Sequence, residues 1–514
     1  MLARILCWLA LAATAMAQTA GDSVLSQVRQ YRNTHAAEIL RSYAELLAIP
    51  DLATDTANIR RNAEAIQAQL QARGVATRLL EAPDSPPIVL GDLKGAAGAG
   101  ARTLIIYAHY DGQPVDAAQW KSPPWQPVFR DEQGRDIPLE QAVRDPESRV
   151  YARAASDDKA PIGAILAALD ALRAAGVAPR IHFKFFFEGE EEAGSPHLRA
   201  AIESYRDLLK ADAWLICDGP VHQTRHMQVY FGARGVTGLE MTVYGPQRPL
   251  HSGHYGNWAP NPAAMLANLL SAMRDDDARI RIPHFYDEVR PLTSAEREAL
   301  QRMPDIDGQL KTELQIARTE APCSPPAPSP ACPQEGATRI EQNIMQPALN
   351  IRGFEAGHTG AKAQNAVMTE AHASIDFRLV PDQSPQRVQQ RVEDFIRGRG
   401  YTVVHDAPDA AVRMAHPRLI RLEWEPGYPA ARSDMASPVA RDVIAAIERA
   451  TGSVYEMPTL GGSVPMYLFT DVLKTPAIGV PIVNHDNNQH AANENLRLRN
   501  FWEGIDIFAA ILTQ

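Results

Sequence analysis

Apolar positions along this chain repeat with two different periods, and the switches between them mark out its elements. From Ser23 to Pro50 they return every three or four residues, the spacing of an amphipathic helix that stops before the proline. A second helix is predicted over Thr56–Ala72, closed by Gly74. Short apolar runs follow at Val75–Leu80, Ile88–Leu90, Thr103–Ala108, Ile181–Phe187, Ala213–Cys217 and Pro476–Val483. Runs such as TLIIYA and FKFFF offer apolar side chains to both faces of a strand, the habit of a covered parallel sheet. Helical patterns separate these runs at Ala160–Ala175, Pro196–Leu209, Ser437–Ala450 and Asn500–Leu512. The expected fold is α/β, with a mixed, mainly parallel central sheet and helices on both faces.

The middle of the chain has another texture. Gly238–Tyr244 alternates like a strand with one wet face, and Asn261–Met273 reads as an amphipathic helix. Strands Ala348–Phe354 and Ala371–Leu379, helix Ser384–Arg397 and strand Leu419–Trp424 complete a strand–helix–strand–strand–helix–strand order. That order predicts an α+β two-layer domain over residues 232–428, inserted into a first domain made of residues 18–231 and 429–514. The Pro- and Ala-rich stretch Thr319–Glu335 reads as a surface excursion of the insert.

A chain of 514 residues exceeds what one hydrophobic core spans, which agrees with two domains. Hydrophobic residues make up 45% and charged residues 22%, as in soluble globular proteins. The net charge of −10 argues against a nucleic-acid or anionic-membrane partner. Residues 1–17 read as a secretory leader: Arg4, the apolar run Ile5–Ala13, and a small-x-small cleavage site, Ala15-Met16-Ala17. The mature protein is therefore expected in a periplasm or outside the cell, with no membrane association after cleavage. There Cys323 and Cys332 would pair across their proline-rich loop, while Cys217, within AWLICD, reads as a buried small hydrophobe.

The chemistry gathers where the apolar runs stop. Thr103–Ala108 leads into His109-Tyr110-Asp111, and Ile181–Phe187 into Glu188, Glu190, Glu191 and Glu192. Ala213–Cys217 leads into Asp218, and Pro476–Val483 into Asn484-His485-Asp486 and then His490. Asp157 stands before the Ala160–Ala175 helix, where Ser156 or Asp157 would serve equally as an N-cap. Open α/β sheets collect their ligands beyond the carboxyl ends of the strands. Imidazoles and carboxylates without thiolates suit Zn²⁺, Mn²⁺ or Co²⁺ better than Ca²⁺ or copper. Two such ions sharing one carboxylate would polarise a water for hydrolysis, and a further carboxylate would move its proton. Adjacent Glu191 and Glu192 fit that division of labour.

These motifs resemble those of the co-catalytic, di-zinc metallopeptidase family of carnosine dipeptidases, aminoacylases, glutamate carboxypeptidases and succinyl-diaminopimelate desuccinylases. They are His109-x-Asp111, Ser156-Asp157-Asp158-Lys159, Glu188-Gly-x-Glu191-Glu192-x-Gly194-Ser195, Asp218 and His490-x-x-Asn493-Glu494. The resemblance implies that Asp157 bridges two divalent ions, zinc foremost with manganese or cobalt as substitutes. It implies His109 and Asp218 on one ion, Glu192 and His490 on the other, Glu191 as general acid/base, and Asp111 orienting His109. Glu190, where the family varies, is read as facing solvent. The first domain becomes the catalytic domain, and the insert becomes a lid that also forms a homodimer interface. In the lid, Leu250-His251-Ser252-Gly253 matches the motif whose histidine reaches the partner subunit's site and stabilises the oxyanion. Arg378, within DFRLVP, matches an arginine that holds the substrate carboxylate, and Asn365 a nearby polar residue. Gly461-Gly462-Ser463 matches a substrate-contacting turn.

The chain departs from the pattern at Leu460, where carnosinase-like members often carry an acid that meets a free substrate amine. His254 and Asn257 also alter the residues after HSG. The leading expectation is an exported peptidase acting on dipeptides or short peptides. A deacylase of N-acyl amino acids using the same site is the alternative. A periplasmic binding protein that has lost catalysis ranks third, because Glu191 and the ligand set are intact.

Overall fold

A computed structural model describes residues 23–97, 101–320 and 339–514. The expected leader over 1–17 and the expected Cys323–Cys332 pair lie outside the described residues. Cys217 is a free thiol and fully buried. No described helix is long and apolar enough to cross a membrane.

The chain forms two compact units. One holds the described chain up to Phe231, with Ser433–Met457 and Leu468–Gln514; the other holds Gly232–Arg432 and Pro458–Tyr467. The first unit resumes at Ser433, not at the expected 429, and the turn Pro458–Tyr467 groups with the second. Hydrogen bonds explain that grouping: Leu460 N donates to Gly232 O at 2.8 Å, and Arg234 N to Gly462 O at 3.2 Å.

The first unit is built on an eight-stranded sheet. Its strands run in the order Ala76–Leu80, Ile88–Leu93, His182–Glu188, Thr103–His109, Ala213–Ile216, Ala477–Gly479, Gln228–Tyr230 and Tyr455–Met457. The four from His182–Glu188 to Ala477–Gly479 are parallel, and Phe183, Phe185, Phe186 and Phe187 among them are all buried. His109 is level with Glu188 in the ladder, so the residues after both strands emerge side by side.

Several elements differ from the sequence expectation for identifiable reasons. The strand within the apolar run 476–483 covers only Ala477–Gly479, because Pro481 has no N–H to donate; pairing returns at Val483 as an isolated bridge to Pro220. The helix after the acidic turn covers Leu198–Ser204 alone. Beyond it the chain tightens into three-residue turns, Leu208 N bonding Tyr205 O and Leu209 N bonding Arg206 O. Gln228–Tyr230 and Tyr455–Met457 are three residues each, too short to show a period.

Helix Lys159–Ala174 is buried over most of its length, packing on Leu498–Leu512, Ala36–Leu47 and the strand Thr103–His109. Asp158 is its N-cap residue, and no side chain caps it; neither Ser156 nor Asp157 takes that job. Its first residue, Lys159, is fully buried with Nζ 2.8 Å from Asp51 Oδ2. Asp51 Oδ1 in turn accepts from Trp125 Nε1 at 2.8 Å.

The second unit has a five-stranded sheet in the order Ala348–Glu355, Glu370–Leu379, Gly235–Tyr244, Leu419–Trp424 and Thr402–Val404. All neighbours are antiparallel except the last pair. Alternation sorts the sheet into two faces. Leu239, Met241, Ile375 and Phe377 join a core with Leu266, Leu269, Val388 and Val392 from helices Pro262–Met273 and Pro385–Gly398. On the wet face Arg352 bridges Glu240 and Glu425 at 3.1 and 2.6 Å. Both helices start on a side-chain cap followed by proline: Asn261 accepts from Ala263 N and Ala264 N, and Ser384 from Arg387 N.

Breaking a buried ion pair by removing one partner leaves an uncompensated charge and costs about 3–5 kcal/mol. Lys159→Met should therefore destabilise the protein by that order in urea unfolding, with Asp51 stranded. Wild-type stability in that variant would show that the pair contributes nothing.

Candidate metal centre

The site grows from the strand ends of the first unit. His109 closes its strand and is fully buried. Glu191 and Glu192 ride a single turn of 3₁₀ helix, Glu191–Ala193, just after His182–Glu188. Gly189 is required there, since a Cβ would strike the Tyr110 hydroxyl. Asp218 follows Ala213–Ile216 and Asp157 precedes the Lys159 helix. His490 sits in a loop with φ of 60°, in left-handed backbone.

These six side chains converge in two groups. Donor atoms of His109, Glu191 and Asp218 lie within 4.8 Å of one another, and so do those of Asp157, Glu192 and His490. Asp157 joins the groups: Oδ1 is 3.0 Å from His109 Nε2, and Oδ2 is 3.1 Å from His490 Nε2. His490 Nε2 also lies 3.4 Å from Glu192 Oε2. The five residues read from sequence as metal ligands thus come together, with Asp157 in the middle. Glu191, read as the acid/base, lies against His109 and Asp218.

Electrostatics shows how poorly this cluster tolerates its own charge. Burial, then Asp157, pushes Glu192 up to about 8. Burial, then Asp157, pushes Asp218 up to about 6. Burial raises Glu191 well above the usual carboxylate range, with Asp218 and Glu192 adding to the effect. Burial alone would depress His109, but its bonds to Asp111 and Asp157 outweigh this and raise it. The adjacent Asp157 carboxylate lifts His490 to about 9. Asp157 is held low by both histidines against its own burial. Its Oδ2 is buried without a hydrogen-bond partner despite the nearby imidazole. An orphaned carboxylate oxygen between two thiol-free donor groups fits a pair of divalent cations of the zinc, manganese or cobalt type.

Two acids hold the donors in place. Asp111 Oδ1 is 3.4 Å from His109 Nδ1, and its carboxylate also accepts from Glu191 N at 3.1 Å and Glu192 N at 3.0 Å. It therefore fixes the acidic turn as well as the imidazole expected from sequence. Glu494, fully buried, accepts from Ser156 N, Ser156 Oγ, Asp157 N, Ala154 N and Arg153 Nη1, all at 2.8–3.0 Å. It ties the His490 segment to the Asp157 loop, a role that sequence reasoning missed although Glu494 stands four residues from His490. Gln113, also missed, donates from Nε2 to Glu192 Oε2 at 2.7 Å. Glu190 does not face solvent as expected: it is buried and accepts from His197 N and Nδ1 at 3.0 and 2.9 Å. Glu188 is buried against Tyr107 Oη, at 2.7 Å, and burial pushes it to about 8.

The second unit groups its candidates in two places. His251 is exposed, its Nδ1 accepting from Gly253 N at 3.1 Å and its ring 4.6 Å from that of His254. Asn365 O accepts from Ser252 N at 2.9 Å, bringing Asn365 beside the His251 motif. Elsewhere Arg378 Nη1 donates to Ser463 Oγ at 2.8 Å, and Gly462 lies on the same turn.

Two outcomes are expected. Glu494→Gln should lower metal affinity by about 10–100-fold while the protein stays folded, as metal titration by calorimetry would read. In metal-free protein, Glu188 and Glu192 near 8 and His490 near 9 bind protons between pH 7 and 9 that the unfolded chain has released. Stability of chelated protein should therefore fall across that window, and metal-loaded protein should not follow the same slope. Thermal melts with and without chelator at pH 7, 8 and 9 decide this, and parallel slopes would count against it.

Comparison with known proteins follows the same line. A Cys-Gly metallodipeptidase of Schizosaccharomyces pombe is 26% identical over 453 residues, covering 86% of each chain. A human Beta-Ala-His dipeptidase is 24% identical over 520 residues, covering 96% of this chain and 93% of the relative. Among solved structures, the M20 family metallo-carboxypeptidase Sso-CP2 from Sulfolobus solfataricus matches with a TM-score of 0.71 at 26% identity. That match covers 92% of this chain and 98% of the other. Human carnosine dipeptidase 1 shares the fold, with a TM-score of 0.70 at 22% identity, covering 95% of this chain and 98% of its own. Residues 105–514 match the family profile itself, and the chain belongs to Peptidase family M20/M25/M40.

Proposed function

We propose that the protein is an exported dipeptidase that hydrolyses the amide bond of dipeptides or short peptides with two divalent metal ions, zinc foremost. The observation that carries this reading is the pair of donor groups joined through Asp157, with the carboxyl of Glu191 beside them. His109 and Asp218 would hold one ion, Glu192 and His490 the other, and Asp157 both. Bound there, the ions would supply a more acidic water and a polarised scissile carbonyl.

The chain's own residues do the rest. Glu191 takes the proton of the attacking water and passes it to the leaving nitrogen, from its place against His109 and Asp218. Asp111 holds His109 and the Glu191–Glu192 turn in register during that transfer. Arg378, with Ser463 and Gly462 beside it, holds the substrate carboxylate, and Asn365 contributes a polar contact near His251. His251, exposed and free to reach a second copy of the chain, stabilises the oxyanion in a homodimer formed through the inserted unit. The leader-like residues 1–17 support export to a periplasm or the medium.

A second reading keeps the chemistry and changes the substrate. Leu460 precedes the Gly461-Gly462-Ser463 turn where an acid would meet a free amine. This favours N-acyl amino acids, with no α-ammonium to pair. A panel of mixed dipeptides and N-acetyl amino acids, assayed with added Zn²⁺ or Mn²⁺ and again after chelation, separates the two. Turnover that chelation leaves unchanged would exclude both.

Glu191→Gln should lower kcat by about 10²–10⁴-fold while metal content stays at the wild-type level. Near-normal turnover in that variant, with metal retained, would show that the proton is moved by another group.

A further inference from the structure

We infer that a cavity in the second unit is a specificity pocket for an apolar side chain on the carboxyl-terminal residue of the substrate, with Arg234 joining Arg378 on that residue's carboxylate. This rests on the peptidase reading above, and it names the substrate class.

The charge balance around Arg378 is incomplete. Arg234 is 8% exposed, and its Nε is buried with no hydrogen-bond partner. Its Nη2 donates to Gln346 O at 2.7 Å. Burial and then the neighbouring Arg378 disfavour its charge, against Asp376 alone. Asp376 is already divided: Oδ2 is 3.2 Å from Arg378 Nε, and Oδ1 accepts from Asn350 Nδ2 at 2.8 Å. Two guanidinium groups and one carboxylate leave one positive charge over. A buried cation in that state calls for an anion, and a planar carboxylate matches guanidinium geometry.

The cavity begins where these residues end. Its volume is about 330 Å³, within the range of small-molecule sites, and Arg234, Ala348 and Asn350 form one wall. Ala348 is the ladder partner of Arg378, so the wall adjoins the candidate carboxylate clamp. A Cβ at Gly461 would lie 3.5 Å from Ile344, so the Gly461-Gly462-Ser463 turn abuts the same lining. Leu310, Leu314, Ile316 and Ile340 give the lining an apolar part. Leu314, Ile316 and Ile340 are three of the seven large hydrophobic side chains most exposed among the described residues. Two further cations line the cavity: Arg274, neutralised by Glu320 at 2.5 Å, and the half-buried Lys311, which shares the lining with Asp307. With Lys311 and Asp307 offsetting each other in charge, the lining is a mainly apolar chamber that includes the incompletely partnered Arg234, the complement of an apolar amino-acid carboxylate.

The test uses full-length protein in two states. Metal-depleted protein is titrated calorimetrically with leucine, glycine and aspartate, and zinc-loaded protein is assayed on Gly-Leu, Gly-Gly and Gly-Asp. Leucine should bind about tenfold or more tightly than glycine, and Gly-Leu should lead Gly-Gly in kcat/KM by a similar factor. Aspartate should gain nothing over glycine. Ile344→Glu should abolish the leucine preference in both measurements, leaving leucine no tighter than glycine and Gly-Leu no better than Gly-Gly. Leu310→Glu repeats the test should the first variant fail to fold. Arg234→Gln should raise KM for every peptide with kcat retained, and Arg234→Lys should restore part of the loss. Leucine binding no tighter than glycine, or a preference that survives both wall variants, overturns the pocket. Zinc-loaded protein that cleaves none of the peptides overturns the peptidase reading instead, and the amino-acid titration still decides the pocket.

Discussion

Burying an ionised carboxylate costs several kcal/mol unless cations or donors face it. The first unit buries Asp111, Asp157, Asp158, Glu188, Asp218 and Glu494 around one end of one sheet. Donors satisfy some of these: five hydrogen bonds surround Glu494, and two amides and an imidazole face Asp111. Tyr107 donates to Glu188, and two histidines meet Asp157, too few to balance Glu191, Glu192 and Asp218 as well. The raised pKa values of these three record the shortfall. Divalent cations remove it. Folding of this end and loading of the centre are therefore linked through one electrostatic requirement.

The parallel sheet makes that requirement possible. Four neighbouring strands end within two residues of one another in the ladder, so residues far apart in sequence emerge together. A sheet buried on both faces gives these ends fixed positions, and the donors inherit them. Asp111 and Glu494 then refine the arrangement by holding backbone amides, not metal. A carboxylate that binds several amides positions a whole loop, where one that meets a single side chain would position only that group.

Much of this is legible in the order of residues along the chain. His109 and Asp218 directly follow strong apolar runs, and a strand signal locates its own end. The alternation in Gly238–Tyr244 and Ala371–Leu379 likewise announces a sheet with one wet face. What stays hidden depends on contacts that sequence does not encode locally. Glu494 reaches across 337 residues to Asp157 N, and nothing near either position signals it. Glu190 looks like one more exposed acid in a run until His197 folds back onto it. The return to the first unit falls at Ser433 and not at 429, and Pro458–Tyr467 groups with the second, because backbone bonds to Gly232 and Arg234 decide the matter.

That last feature bears on how the molecule can be taken apart. The polypeptide passes between its two units four times, at Phe231/Gly232, Arg432/Ser433, Met457/Pro458 and Tyr467/Leu468. A graft that moved only Gly232–Arg432 into a relative would part Arg378 from Ser463 and strip Arg234 of its backbone acceptor. The inserted unit is thus not a cassette with a single entrance and exit. Exchange of this unit by recombination keeps its carboxylate-facing corner whole only when the ten-residue turn travels with it.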